Sequence, residues 1–289
     1  MSARLILGTA QFGLDYGIVN TAGKVASAEV RSMLDLVRRS GFAGLDTAAA
    51  YGDAEQLLGA CGVSDLPVVT KVSIDPAMGP EQVGSWVMAS VRRSLAALRC
   101  KQLDGLLLHA AGDLVGARAK QVHAALVAVR DAGLVRRIGA SIYARQDIEP
   151  VLSDYPVDLI QLPMSVLDQR AREWLPLLKK RHIAVHVRSV FLQGIVLQQV
   201  GLLPAKLAAL APALKEFHQR AMASELTPLE AALAFVRNTP GIEGIVVGAT
   251  SRAELEQIAK AFAQPARFDA AGLDASSLPE ADPRNWKAA

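Results

Sequence analysis

Asp46, Tyr51, Lys71 and His109 fall in three short segments, LDTAAAYG, VVTK and LLLHA, each of which reads as the end of an apolar run and the start of a loop. A phenol beside an ammonium, a carboxylate and an imidazole is a proton-delivery device suited to reducing a carbonyl. Singly, each residue has a plainer reading. An Asp at a strand end caps the next helix, a His there is a hydrogen-bonded structural group, and Tyr51 is a packing aromatic. Lys71 differs, because an ammonium at the end of a buried run is costly unless a carboxylate compensates it, and Asp46 is the natural partner. Tyr51 lies five residues after Asp46 in a loop closed by Gly52, so its hydroxyl can point toward Lys71. A phenol with a pKa of about 10 is a weak acid at neutral pH, and a neighbouring cation favours its ionised form, which makes such a group a usable proton donor. His109 would then hydrogen-bond the substrate oxygen and stabilise developing negative charge.

Convergence of these residues requires a scaffold that ends several strands at one mouth. Short β-branched or leucine-rich runs, at residues 5–8, 44–46, 67–72, 105–109, 137–141, 159–162, 184–189 and 244–248, alternate with segments of helical period. That alternation predicts repeated βα units and a parallel sheet. Val30, Met33, Leu34 and Val37 make one helical stripe that stops at Ser40-Gly41, and Val83, Val87, Val91, Leu95 and Leu98 make another. Thr227-Pro228-Leu229-Glu230 combines a capping threonine, a proline where its missing N–H costs nothing and a glutamate three residues on. Eight such units predict an α/β fold, a closed (β/α)8 TIM barrel of the usual length of about 250 residues. An open doubly wound sheet is the runner-up, but Gly8, Gly13 and Gly17 lack the spacing of its G-x-G-x-x-G turn. No linker divides the chain, so residues 1–289 read as a single domain with an irregular tail from about residue 265.

A chain of 289 residues with 51% hydrophobic content is able to bury a large core. The formal charge is only +3, from 31 Lys+Arg against 28 Asp+Glu, and no basic run carries interleaved aromatics, which argues against a nucleic-acid partner. The opening apolar run passes straight into a glycine turn without an h-region or cleavage site, and no run approaches the roughly 20 residues needed to cross a bilayer. Cys61 and Cys100 are the only cysteines, too few for a disulfide framework and without metal-ligand spacing. The expectation is a cytoplasmic protein without a metal or membrane partner, monomeric or weakly homo-oligomeric. Asp15 and Tyr16 are candidates for a pocket lining or a turn, and His186 for a barrel-facing position.

Asp46-Thr47-Ala48-x-x-Tyr51-Gly52, Thr70-Lys71 and Leu106-Leu107-Leu108-His109, in that order, resemble the tetrad segments of the aldo-keto reductase superfamily. The similarity runs from Gly8-Thr9-Ala10-Gln11-Phe12-Gly13, in the manner of a bacterial branch, to about Phe262. It implies a nicotinamide-dependent carbonyl reductase in which Tyr51 is the acid, Lys71 its tuner, Asp46 the lysine's anchor and His109 the carbonyl orienter. It also implies cofactor contacts from Gly8, Thr9, Ala10 and Asp46. Ser141 and Gln161 match the residues that hold the nicotinamide carboxamide, while Ile142 stands where asparagine is frequent. In the segment Arg188-Ser189-Val190-Phe191-Leu192-Gln193-Gly194, Arg188 takes the place of a tyrosine that stacks on the nicotinamide, and Ser189, Phe191, Gln193 and Gly194 are implied contacts. Gly248, Thr250, Ser251, Arg252, Glu254 and Gln257 resemble the family's adenosine-phosphate site at a helix N-terminus. Glu254 lies where a 2′-phosphate-binding arginine is common and would repel that phosphate, and Arg252 could compensate by reaching across. NADP(H) is therefore the favoured cofactor and NAD(H) the alternative.

The resemblance predicts reversible reduction of an aldehyde or ketone in an open pocket of relaxed preference, with sugars, small aldehydes and steroid-like ketones all admissible. Two other readings stand beside it. One is a slow-turnover redox sensor or regulatory subunit, similar to the aldo-keto reductase-like β subunits of potassium channels. The other is a barrel enzyme in which Lys71 forms a Schiff base.

Overall fold

Each of the eight predicted runs forms a strand: β1 (Arg4–Gly8), β2 (Gly44–Asp46), β3 (Val68–Val72), β4 (Leu103–Leu108), β5 (Val135–Ser141), β6 (Leu159–Pro163), β7 (Ala184–Arg188) and β8 (Gly244–Gly248). All pair in parallel with their sequence neighbours, and β8 returns to β1 with Arg4 opposite Gly244 and Gly8 opposite Gly248, closing the barrel. The computed structural model describes residues 3–143 and 145–286.

The helices form where the apolar stripes predict them. They are α1 (Ala10–Gly13), a single turn, α2 (Ser27–Arg39), α3 (Ala54–Cys61), α4 (Pro80–Leu98), α5 (Ala119–Asp131), α6 (Arg145–Ser153), α7 (Leu175–Lys180), α8 (Ala211–Ala223), α9 (Pro228–Asn238) and α10 (Arg252–Ala263). Helix α2 buries Val30, Met33, Leu34, Leu36 and Val37 against the barrel. It ends at Ser40, and Gly41 then turns left-handed at φ +72°. Helix α9 starts on the predicted capping box: the Glu230 amide donates to Thr227 Oγ1 at 3.2 Å, and the Thr227 amide donates to Glu230 Oε2 at 2.8 Å.

Most of the core lies between strands and helices, as βα units require. A smaller cluster of Val69, Leu107 and Leu159 fills the barrel interior. His186 also faces that interior, near the N-terminal mouth, with its Nε2 3.4 Å from Glu243 Oε1. Among the described residues after α10 the helical pieces are short 3-10 turns, Pro279–Ala281 and Pro283–Trp286. This segment is fastened onto the loop after β6 by the Ala275 amide on Leu167 O (2.9 Å) and by Gln169 Nε2 on Ala270 O (2.8 Å). Among the described residues no helix is long and apolar enough to cross a membrane, and no group of His, Cys, Asp or Glu side chains could hold a metal ion.

Candidate active site

Parallel strands deliver their last residues to one mouth, and Asp46, Lys71 and His109 stand there at or just beyond the ends of β2, β3 and β4. Lys71 Nζ donates to Asp46 Oδ1 at 2.5 Å and to the Thr47 carbonyl at 2.9 Å. The second Asp46 oxygen, Oδ2, accepts from Gln161 Nε2 at 2.7 Å. Burial of Lys71, only 2% exposed, disfavours its charge, yet the charges of Asp46 and Tyr51 outweigh that and hold its pKa above the ordinary lysine value. The Lys71 ammonium lies 5.3 Å from the centroid of the Tyr51 ring. The His109 ring meets Tyr51 edge to face, with centroids 6.0 Å apart. Burial, then the charges of Lys71 and Arg188, push the His109 pKa down to about 4, with Asp46 opposing, so the imidazole is neutral at neutral pH.

A cavity of about 550 Å³ opens over these four residues and runs across the mouth to β8 and α10. Its wall includes Gly8, Thr9 and Ala10 after β1, Ser141 and Gln161, then Arg188, Ser189, Phe191, Gln193 and Gly194 after β7, and Gly248, Thr250, Glu254 and Gln257. Ser251 and Arg252 do not line it. Ser251 Oγ is occupied as the α10 cap, accepting the Glu254 amide at 3.2 Å. Arg252 is turned toward α2, where its guanidinium donates to Ser32 Oγ at 3.2 Å and its backbone amide donates to Glu29 Oε1. The compensating reach expected of Arg252 is therefore absent. Glu254 Oε2 instead takes the Thr250 amide at 2.7 Å and the Thr250 hydroxyl at 2.8 Å.

Several features of the site and its surroundings depart from the sequence expectation or escaped it. Ile142 makes no polar contact with its side chain; it is fully buried in the outer core, and its amide donates to Gln161 O at 2.8 Å. Arg188 packs its guanidinium on Tyr143, 3.9 Å from the ring centroid, rather than standing free to cover a nicotinamide. Arg284, from the tail, lies 4.2 Å from the same centroid, so two guanidinium groups pack on the Tyr143 ring. Tyr143 went unnoticed in the sequence, although the two-residue period of a strand carries the face of Ser141 on to it. The loop after α1 was also missed in part: Tyr16, Gly17 and Val19–Ala22 line the cavity, whereas Asp15 does not. This loop touches the one after β7, where Gln193 Oε1 accepts the Ile18 amide at 3.1 Å.

The wall suits a nicotinamide dinucleotide. Gln161 Oε1 is buried, has no partner, and belongs to a cavity-lining side chain whose Nε2 is already committed to Asp46, so it offers an acceptor to a carboxamide N–H. The model of the aldo/keto reductase family matches residues 4–272. The uncharacterised oxidoreductase YqkF of Bacillus subtilis is 24% identical over 247 residues, 78% of this chain and 79% of that protein. An aldo-keto reductase of Mycolicibacterium smegmatis is 28% identical over 138 residues, 45% and 46% of the two chains. The holo form of an aldo-keto reductase from Bacillus halodurans shares the fold, with a TM-score of 0.74 at 20% identity, covering 93% of this chain and 89% of that one. The chain belongs to the aldo/keto reductase family and is an NAD(P)H-dependent oxidoreductase acting on small-molecule carbonyl compounds.

Proposed function

We propose that this enzyme reduces an aldehyde or ketone to the alcohol, reversibly, with Tyr51 as the proton donor. The observation that carries the reading is the charged, enclosed Lys71, fixed by Asp46 and set beside the Tyr51 ring, opposite a neutral His109. A bound dinucleotide supplies the hydride that reaches the carbonyl carbon. His109, being neutral, donates an N–H to the substrate oxygen without competing for its proton. As charge builds on that oxygen, the Tyr51 hydroxyl proton moves to it, and the phenolate left behind is stabilised by the Lys71 ammonium. Gln161 and Asp46 link the two halves of the site, since the same carboxylate that anchors Lys71 holds the amide of the cavity-lining Gln161, whose oxygen is left without a partner.

Tyr51→Phe is expected to lower kcat by about 10²–10⁴-fold while dinucleotide binding, followed by fluorescence, persists; undiminished turnover would remove Tyr51 from the acid role. A Schiff-base role for Lys71 is disfavoured, because a nucleophilic amine must be neutral and the charge of Asp46, outweighing burial, keeps this one protonated. For the dinucleotide we favour NAD(H) over the NADP(H) of the sequence expectation. Glu254 lines the cavity and already occupies the Thr250 amide, and Arg252 points away.

A further inference from the structure

We propose that the substrate is a carbonyl compound bearing an anionic oxyacid group, a carboxylate or phosphate, and that Arg188 is the residue that reads that group. The inference rests on the carbonyl-reductase reading and names the substrate class of the same site.

At the reactive end of the cavity Asp46 and Lys71 cancel, and His109 is neutral. What remains is the guanidinium of Arg188, half-buried at the end of β7 and lining the cavity. Its contacts are all neutral: Ser141 Oγ at 3.3 Å, Ser189 Oγ at 3.4 Å and the Tyr143 ring. Among the described residues no carboxylate lies within ion-pair distance of it. Most other half-buried arginines are treated differently, and Arg252, whose guanidinium also meets no carboxylate, is turned away from the cavity onto Ser32 Oγ. Arg118 pairs with Asp113, Arg137 with Asp104 and Glu243, and Arg170 with Asp168, while Arg237 is satisfied by three backbone carbonyls. Arg188 is the half-buried arginine whose unpaired charge lines the cavity, facing the space where substrate must sit.

It is also fixed in place. Arg284 packs on the same Tyr143 ring and is itself held by Asp282 at 2.6 Å. Stacking engages the face of the Arg188 guanidinium and leaves N–H edges available, the geometry that takes a carboxylate or phosphate in a forked pair. Little side-chain freedom remains to be lost on binding, so preorganisation favours the anion. Because the neutral Asp46–Lys71 pair contributes no net charge, an anionic group on the substrate is what would balance this end of the cavity.

The test compares each charged aldehyde with a neutral counterpart, using enzyme saturated with reduced dinucleotide. One arm sets 4-carboxybenzaldehyde against 4-formylbenzamide, the other glyceraldehyde 3-phosphate against glyceraldehyde. The expected result is a kcat/KM ratio favouring the anionic member by about tenfold or more in at least one arm, as a charge-assisted hydrogen bond provides. Arg188→Met should collapse that ratio toward one, and Arg188→Lys, which keeps the charge but not the fork, should restore it in part. The arm with the larger ratio assigns carboxylate or phosphate. Ratios near one in both arms of the wild type, or a ratio that survives Arg188→Met, overturn the proposal. Calorimetry on the same enzyme with 4-carboxybenzyl alcohol against benzyl alcohol, and glycerol 3-phosphate against glycerol, reads binding without turnover. If wild type reduces none of the aldehydes, the reductase reading fails. In that event Arg188-dependent binding of either anionic alcohol still supports the inference, and binding indifferent to charge overturns it.

Discussion

His109 shows how neighbours decide what a residue is able to do. An imidazole ordinarily gains a proton near pH 6.5, but burial and then the Lys71 and Arg188 cations depress its pKa to about 4. Protonation is resisted because it would place a third positive charge beside two existing ones. The ring therefore stays a neutral hydrogen-bond donor from pH 8 down to about 5. We expect the pH profile of kcat/KM to show no inflection near 6.5 from this residue, with imidazole C–H resonances in NMR titrating only at about 4. Arg188→Met, by removing one of the depressing charges, should raise that titration toward 6.5. A histidine inflection near 6.5 that disappears in His109→Gln would refute the neutral-donor assignment. The sign also fixes an effect on stability. The unfolded chain takes up this proton first, so stability from this group falls as the pH drops from about 6.5 to about 4. The pairing of Lys71 with Asp46 was legible in the sequence because a buried ammonium demands a carboxylate. The hold of Gln161 on the same carboxylate was not, since that bond spans 115 residues and exists only once the barrel closes.

Strands and helices were readable for the converse reason: their signals are local. The stripe of α2, the capping box of α9 and the apolar strand runs each specify their element within a few residues, and boundaries moved by no more than a turn's worth. Sequence reading carried β7 through Ser189, but the strand stops at Arg188 because Ser189 turns left-handed at φ +59°. Leu192, Gln193 and Gly194 do the same, at φ +47°, +53° and +93°. Backbone in that region costs about 1–3 kcal/mol per non-glycine residue and persists only where surroundings enforce it, commonly at functional sites. Here the enforcing partner is the loop after α1. Gln193 takes the Ile18 amide, and a Cβ on Gly194 would come 2.3 Å from Val19 Cγ2. The two loops thus form a strap at the cavity wall that no local pattern announces, being 175 residues apart. Gln193→Ala removes one hydrogen bond, about 1 kcal/mol, so dinucleotide release in stopped-flow fluorescence should quicken about fivefold. Gly194→Ala adds both strain and collision and should quicken it further, with the barrel's circular dichroism unchanged. Release rates equal to wild type in both variants would show that the strap does not hold the dinucleotide.

The whole molecule places opposite charges at the two ends of one cavity, a cationic excess at Arg188 and acids at the β8–α10 turn. That arrangement depends on elements far apart in the chain, since α2 contributes Glu29 to the Arg252 amide while α10 folds Glu254 back onto the Thr250 amide. A helix N-terminus attracts anions through its free amides and dipole, but here Glu29 already takes the Arg252 amide, Ser251 caps the Glu254 amide, and Glu254 takes the Thr250 amide just before the helix. A 2′-phosphate arriving at this turn would have to displace Glu254 and lie beside its charge. Two unit charges 4 Å apart repel by about 4 kcal/mol at an effective dielectric of about 20. Glu254 is exposed, so screening leaves only part of that, and a preference of about tenfold for NADH over NADPH is the reasonable expectation. Glu254→Gln keeps the shape and removes the charge, and should bring the two dissociation constants together, chiefly by tightening NADPH. Fluorescence titration of both dinucleotides against both proteins measures it. Tighter binding of NADPH than NADH by the wild type would mean that the phosphate finds its countercharge elsewhere on the cavity wall and that the acids at α10 do not set the choice.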